Sequence, residues 1–156
     1  VGLGFGASYG HAKVWAKERY AELIGRLAKT ADVVLLGAES DREMEREIMA
    51  LADCKAISLV GKTDLVTLAA VMSRLSLYVT NDTGPMHISA GLGVPTIAIF
   101  GPTSPEETKP LGANVTVIQH KADCAPCFKR ECPTDHSCMT AVTVDEIVET
   151  ARRVAR

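Results

Sequence analysis

A chain of 156 residues, 47% hydrophobic and 23% charged, has the composition of one soluble globular domain, long enough to bury a core without staples. A net charge of -2 and an isoelectric point near 6.1 argue against nucleic acid as a main partner, because neutralising phosphates needs a basic surface. No apolar run approaches the roughly 20 residues that span a bilayer, and no charged leader precedes a small-residue cleavage site, so a cytoplasmic protein is expected.

The chain starts without Met, inside an apolar stretch, and is expected to be cut from something larger. Residues 1–5 read as a short strand. In residues 18–29, Tyr20, Leu23, Ile24 and Leu27 share one face at helical spacing. Residues 33–36 form a continuous apolar strand ending at Gly37. Ser40 with Glu43 fits a capping box that opens a helix reaching about Leu51. Residues 57–60 are the next strand, and residues 64–75 the next helix, with Leu65, Leu68, Ala69 and Met72 expected inward. A strand at 77–80 runs into a short helix at 85–92 whose first turn tolerates Pro85. Strands follow at 96–100 and 115–118. Between them Ser104, Pro105 and Glu107 read as a helix start with its own capping box. Thr143 and Glu146 form another box, opening a last helix through Val154.

Apolar strands separated by helices imply parallel pairing and a sheet covered on both faces. The fold class is therefore α/β, a doubly wound, Rossmann-like parallel sheet, with residues 1–156 as one domain. In such a sheet ligands bind outside the carboxyl ends of the strands, which directs attention to the loops at 6–13, 37–40, 81–87 and 101–107.

Asn81-Asp82-Thr83-Gly84-Pro85-Met86-His87 leads straight from a strand into a helix. Gly84 lets a ligand approach the backbone, and the free N–H groups and dipole of the helix start attract an anion such as a pyrophosphate. Asp82 cannot welcome phosphates by charge and is expected to face a sugar hydroxyl or a backbone N–H. His87, in the first turn, could bond a phosphate or sugar oxygen; helix capping and packing are the alternative. Glu39, after the second strand, could take both hydroxyls of a ribose, although an acidic residue near a helix start is commonplace. Lys13 could neutralise a diphosphate leaving group, although a solvated lysine is the commoner case. The loop at 6–13 is neither a P-loop nor G-x-G-x-x-G. No H-E-x-x-H or D-x-D occurs, so a metal-bridged diphosphate is not supported.

Four of the five cysteines fall in one stretch: Cys124, Cys127, Cys132 and Cys138. The spacing suits a tetrahedral Zn site, an iron–sulfur cluster, two disulfides or a reduced loop without metal, and no metal is assigned on the sequence. Cys54 is most simply a buried residue.

Taken together, the segments 6–15, Leu36-Gly37-Ala38-Glu39, 81–87, Gly93-Val94-Pro95 and 100–105 resemble, in content and order, the carboxyl-terminal domain of the ADP-heptose:lipopolysaccharide heptosyltransferases, glycosyltransferase family nine. Cys124 to Cys132 resembles the branch of that family that adds the second core heptose. The resemblance implies half of a GT-B enzyme, with this domain holding ADP-heptose and an amino-terminal domain holding the lipopolysaccharide acceptor. It implies that Lys13 contacts the diphosphate, Glu39 the ribose, and Asp82, Thr83, Gly84 and His87 the diphosphate and heptose, with Ser8 near the phosphates. The catalytic carboxylate would lie in the other domain, and no cofactor or metal would be needed for inverting transfer. Membrane association would be peripheral at most. Ala16 departs from the family, which often has Pro there. Outside this reading stand another GT-B transferase, a sugar-nucleotide epimerase, and a non-catalytic nucleotide- or metal-binding module.

Overall fold

The computed structural model describes residues 1–7 and 9–155. Six parallel strands form one sheet in the order β3-β2-β1-β4-β5-β6: β1 (Gly2–Gly4), β2 (Val34–Leu36), β3 (Ile57–Ser58), β4 (Tyr78–Asn81), β5 (Thr96–Phe100) and β6 (Val115–Gln119). The chain starts in the middle, steps outward through β2 and β3, then crosses back to β4 and steps outward the other way. The order reverses between β1 and β4, and that switch point leaves a crevice at the carboxyl ends of the two strands. The doubly wound Rossmann-like expectation holds.

Alternation along each strand sorts the side chains onto two faces. Leu3, Leu35, Val79, Ile97 and Ile99 join one core with α1 (Lys17–Leu27) and α7 (Val144–Val154). Leu36 and Tyr78 turn the other way, onto Met72 of α3 (Leu65–Met72), while Ala98 and Phe100 pack on Met86 of α4 (Gly84–Gly91). The remaining helices are α2 (Arg42–Leu51), α5 (Pro105–Thr108) and α6 (Ser137–Thr140), with single 3₁₀ turns at His11–Lys13 and Glu39–Asp41. Tyr20, Leu23, Ile24 and Leu27 are buried on α1 as their spacing predicts. Each such side chain contributes about 1.5–3 kcal/mol when fully buried. Among the described residues no helix is long and apolar enough to cross a membrane.

Several helix starts differ from the sequence reading. The Ser40–Glu43 box does not form: the chain enters a 3₁₀ turn after Ala38, and it is the Asp41 carboxylate that reaches back to accept the Ala38 N–H at 2.8 Å. Ser104 makes no side-chain cap; its carbonyl accepts from the Glu107 and Thr108 amides instead. Thr143 does cap α7, accepting the Glu146 N–H at 3.2 Å, but the Glu146 carboxylate sits 2.8 Å from His120 Nε2. Asp64 caps α3 by accepting the Thr67 N–H at 2.7 Å, and the helix stops at Met72. Leu65, expected inward, is 68% exposed at the first turn, while Leu68, Val71 and Met72 carry the contact with the sheet. Cys54 is half-buried rather than buried.

Candidate functional site

The crevice at the switch point opens into a cavity of about 360 Å³ between the ends of β1, β2 and β4. Gly6, Ala38 and Asp41 form one side, Thr63 and Leu68 another, and Thr83 with Gly84 the wall where α4 begins. Its floor is Tyr78, whose phenol is fully buried beside Gly4; burial holds its pKa well above the ordinary range, so it stays a neutral hydroxyl. Gly6 brings the backbone so close to the Asp41 carboxylate that a Cβ there would overlap it.

The strand ends are locked from below. Asn81, wholly buried, donates through Nδ2 to the Phe5 carbonyl at 3.1 Å and accepts the Tyr20 hydroxyl at 2.8 Å. Tyr20 is itself wedged edge-on against Trp15 and Phe5, with ring centroids 5.1 and 6.0 Å away. A satisfied buried network of this kind fixes geometry, since each unmade bond would cost the desolvation of its group. Asn81 therefore pins β1 to β4 at the point where the cavity opens.

Above it, Lys13 and Asp82 form a nearly buried ion pair, Nζ to Oδ2 2.6 Å, with side chains 12% and 6% exposed. The same carboxylate oxygen accepts the Thr103 hydroxyl at 2.7 Å, and the Lys13 ammonium lies 4.8 Å from the centroid of the Tyr9 ring. Asp82 thus faces Lys13 and Thr103 rather than the backbone N–H expected as one alternative, because the buried cation is the stronger partner.

The α4 start is open. Thr83 precedes the first helical residue but makes no side-chain cap; its hydroxyl turns back to the Asn81 carbonyl at 3.4 Å and lies 3.3 Å from the Thr80 hydroxyl. The helix begins at Gly84, one residue before Pro85, with Gly84 exposed toward the cavity and no atom within 4 Å of where a Cβ would stand. The backbone there needs no positive φ, so conformation does not call for glycine and close approach is its reason.

Of the expected site residues, Thr83 and Gly84 line the cavity, while Lys13 and Asp82 stand together beside it. His87 is exposed on α4, outside the cavity lining. Glu39 is 70% exposed, pairs with Arg42 at 2.5 Å and does not reach the cavity. Asp41, two residues on, does. Ser8 lies outside the described residues. The sequence reading missed Asp41 because it placed the helix start at Ser40; an acidic residue three positions after Ala38 was the available signal.

Cys124, Cys127 and Cys132 sit in the segment between β6 and α6, against the Lys13 loop, and Cys138 in α6 itself. Cys124 is exposed, Cys127 and Cys132 half-buried and Cys138 buried, all as thiols. Burial raises the Cys138 thiol pKa, and the nearby Cys124, Cys132 and Cys127 raise it further.

The glycosyltransferase family 9 (heptosyltransferase) model matches residues 1–137. The chain belongs to this family. Among its curated relatives, lipooligosaccharide heptosyltransferase 2 of Campylobacter jejuni subsp. jejuni serotype O:2 is 33% identical over 162 aligned positions, covering 100% of this chain and 51% of that protein. Lipopolysaccharide heptosyltransferase 2 of Salmonella typhimurium is 36% identical over 124 positions, covering 76% of this chain and 36% of that one. The solved ADP-heptose heptosyltransferase II of E. coli superposes with a TM-score of 0.87 at 30% identity, over 99% of this chain and 45% of that chain. This family 9 chain spans about half the length of the first of these curated relatives, and its sheet matches one Rossmann-like half of the solved enzyme.

Proposed function

We propose that this chain is the sugar-nucleotide-binding half of a cytoplasmic heptosyltransferase, taking ADP-heptose as donor for inverting transfer to the inner core of lipopolysaccharide. The observation that carries it is the cavity at the switch point, walled by an uncapped helix start beside a buried lysine. Family membership and the activities for which its relatives are named support the choice of donor and acceptor.

In this reading the adenosine occupies the cavity over Leu68 and Tyr78. Its ribose meets Asp41, which takes the role expected of Glu39 because Asp41 lines the cavity and Glu39 does not; Asp64 also lines it but caps α3. One Asp41 oxygen is held by the Ala38 N–H, and the other is available to a hydroxyl. The diphosphate lies at Thr83 and Gly84, where the backbone N–H groups and helix dipole favour negative charge. The Lys13 ammonium, aimed by Asp82, lends a further N–H, and His87 on the exposed face of α4 reaches the heptose side. As the acceptor oxygen bonds to the anomeric carbon, the bond to ADP breaks and negative charge grows on its terminal phosphate. Preorganised dipoles and Lys13 meet that charge as it develops. The base that takes the acceptor proton, and the acceptor site, belong to an amino-terminal domain outside this chain. No metal or cofactor is assigned to this step. Contact with the membrane is peripheral, through the acceptor at the inner face of the inner membrane, and nucleic acid is not a partner.

Calorimetry with ADP, GDP and UDP tests the reading. ADP should bind at least about tenfold tighter than the others, a difference of about 1.4 kcal/mol, and residues 1–156 alone should bind ADP-heptose without transferring heptose to a core acceptor. Equal affinity for all three nucleotides would return the site to a general nucleotide-binding module. Asp41→Ala should weaken ADP binding by about 1.5–3 kcal/mol, the worth of a hydrogen bond to a charged group. It should leave a 2′,3′-dideoxy analogue unaffected, while Glu39→Ala changes neither. Equal losses for both ligands in Asp41→Ala would remove Asp41 from the ribose.

A further inference from the structure

Residues 120–136, between β6 and α6, contain no helix or strand. A structureless run of this length inside a small domain is uncommon and calls for something that holds it. The hydrophobic core does little of that work: from this run only Ala122 and Ala125 pack against it, both half-buried. The two non-glycine residues with positive φ among the described residues, Phe128 (53°) and His136 (58°), both fall here, and such backbone persists only where the surroundings impose it.

Yet this run anchors the loops of the nucleotide site. The Cys127 and Phe128 amides donate to the Pro102 carbonyl at 3.0 and 2.8 Å, the Arg130 carbonyl accepts the Ala12 N–H at 2.9 Å, and the Tyr9 hydroxyl donates to the Phe128 carbonyl at 2.7 Å. A Cβ at Gly10 would overlap the Arg130 backbone, so the two loops lie in direct contact.

Cys124, Cys127, Cys132 and Cys138 all line one small cavity of about 90 Å³, closed over by Ala12, Pro102 and Pro133. His136 also borders it, but its Nε2 is 2.6 Å from the Ala12 carbonyl and is spent there. The four thiols are the soft donors lining the cavity. Among the described residues no three His, Cys, Asp or Glu side chains already stand as a set that could hold a metal ion. Cys132, for one, turns its thiol to the Thr134 hydroxyl at 3.5 Å. Rotation about its Cα–Cβ bond redirects that sulfur without moving the backbone.

We propose that Cys124, Cys127, Cys132 and Cys138 turn inward to bind one divalent transition-metal ion, Zn²⁺ by chemistry, as a tetrahedral four-thiolate site that fixes this loop against the Lys13 and Pro102 loops. Four soft sulfur donors select Zn²⁺ or iron over harder cations, and sulfurs at about 2.3 Å from the ion fit a cavity of this size. The ion displaces the four thiol protons to solvent, leaving a complex of charge -2. Lys129, which lines the cavity, offsets that charge. All four ligands are protein side chains with no position left for water, so the ion is structural and the chemistry of transfer does not pass through it.

Metal analysis of protein isolated anaerobically should find about one zinc or one iron per chain, and which of the two is read from the same analysis. Reconstitution with Co²⁺ should give intense thiolate-to-cobalt charge-transfer absorption with the strong visible bands of a tetrahedral ion. Cys127→Ser and Cys132→Ser should each lose both the metal and those bands, whereas Cys54→Ser, outside the loop, keeps both. Removing the ion with a chelator should lower the thermal midpoint. Because the Co²⁺ spectrum is read on the unmodified chain, it stands even where a serine variant unfolds, and none of these readouts depends on which nucleotide binds. Isolation without metal combined with no charge-transfer band on adding Co²⁺ would overturn the proposal. So would unchanged bands in the serine variants, or disulfides pairing these cysteines in freshly isolated protein.

Discussion

Gly84→Val should abolish measurable ADP binding at concentrations that saturate the unaltered chain, a loss of about a hundredfold or more, near 3 kcal/mol, with the fold intact. The two halves of that expectation rest on the same observation. A Cβ at position 84 meets no protein atom within 4 Å, so the added methyls project into the space in front of α4. That space is where a phosphate must stand to reach the helix-start N–H groups. The fold should not object, because the residue is helical, exposed and without positive φ. Glycine and valine differ by less than about 1 kcal/mol in a helix, which moves the midpoint by at most about 4 °C at this size. Gly84→Ala should fall between the two in affinity. His87→Ala should cost about tenfold, since it removes one side-chain contact and leaves the helix start in place. Normal ADP affinity in Gly84→Val, measured by calorimetry alongside thermal unfolding, would show that the α4 start is not the phosphate cradle. Unfolding of that variant would show that Gly84 is there for structure.

The parts of this protein legible in its sequence are those governed by periodicity. Val33 to Leu36 and Thr96 to Phe100 read as strands buried on both faces because both faces are covered. Alternation of strand and helix was enough to imply the parallel sheet and a ligand at its carboxyl edge. What escaped were side-chain choices made by tertiary contact. Ser40 and Asp41 are equally good capping residues on paper, and the 3₁₀ turn at Glu39–Asp41 decided between them. That turn moved the carboxylate on the cavity from Glu39 to Asp41. Leu65 fits the apolar spacing of α3 yet faces outward, because spacing locates a stripe but not how many turns of it touch the sheet. Asp82 was assigned a sugar or an amide because nothing in the linear order places Lys13, sixty-nine residues earlier, 2.6 Å from it.

That pair carries the second large effect. Lys13→Met should destabilise the chain by about 3–5 kcal/mol, the range for removing one partner of a buried ion pair, and lower the thermal midpoint by roughly 10 °C. The reason is asymmetry of escape. Asp82 is short, 6% exposed and built into the turn between β4 and α4, so without Lys13 its charge stays buried with the Thr103 hydroxyl as its remaining close donor. Lysine has a four-carbon stem and can carry its ammonium out to water when its partner is gone. Asp82→Asn should therefore cost less, about 1–3 kcal/mol, while the Thr103 hydroxyl still finds an acceptor in the amide oxygen. In the double variant the two losses should fall short of their sum by more than 1 kcal/mol, as expected for side chains in direct contact. Because the pair is shielded from solvent, raising the ionic strength should change these differences little. ADP affinity separates the roles further: Lys13→Met removes the cation and should lose most of the affinity, whereas Asp82→Asn keeps the cation but frees its stem and should lose less. Urea titrations of the three variants check the cycle. Single losses below 1 kcal/mol that simply add would mean that the pair does not act as a buried unit and that Lys13 reaches the diphosphate without Asp82 to aim it.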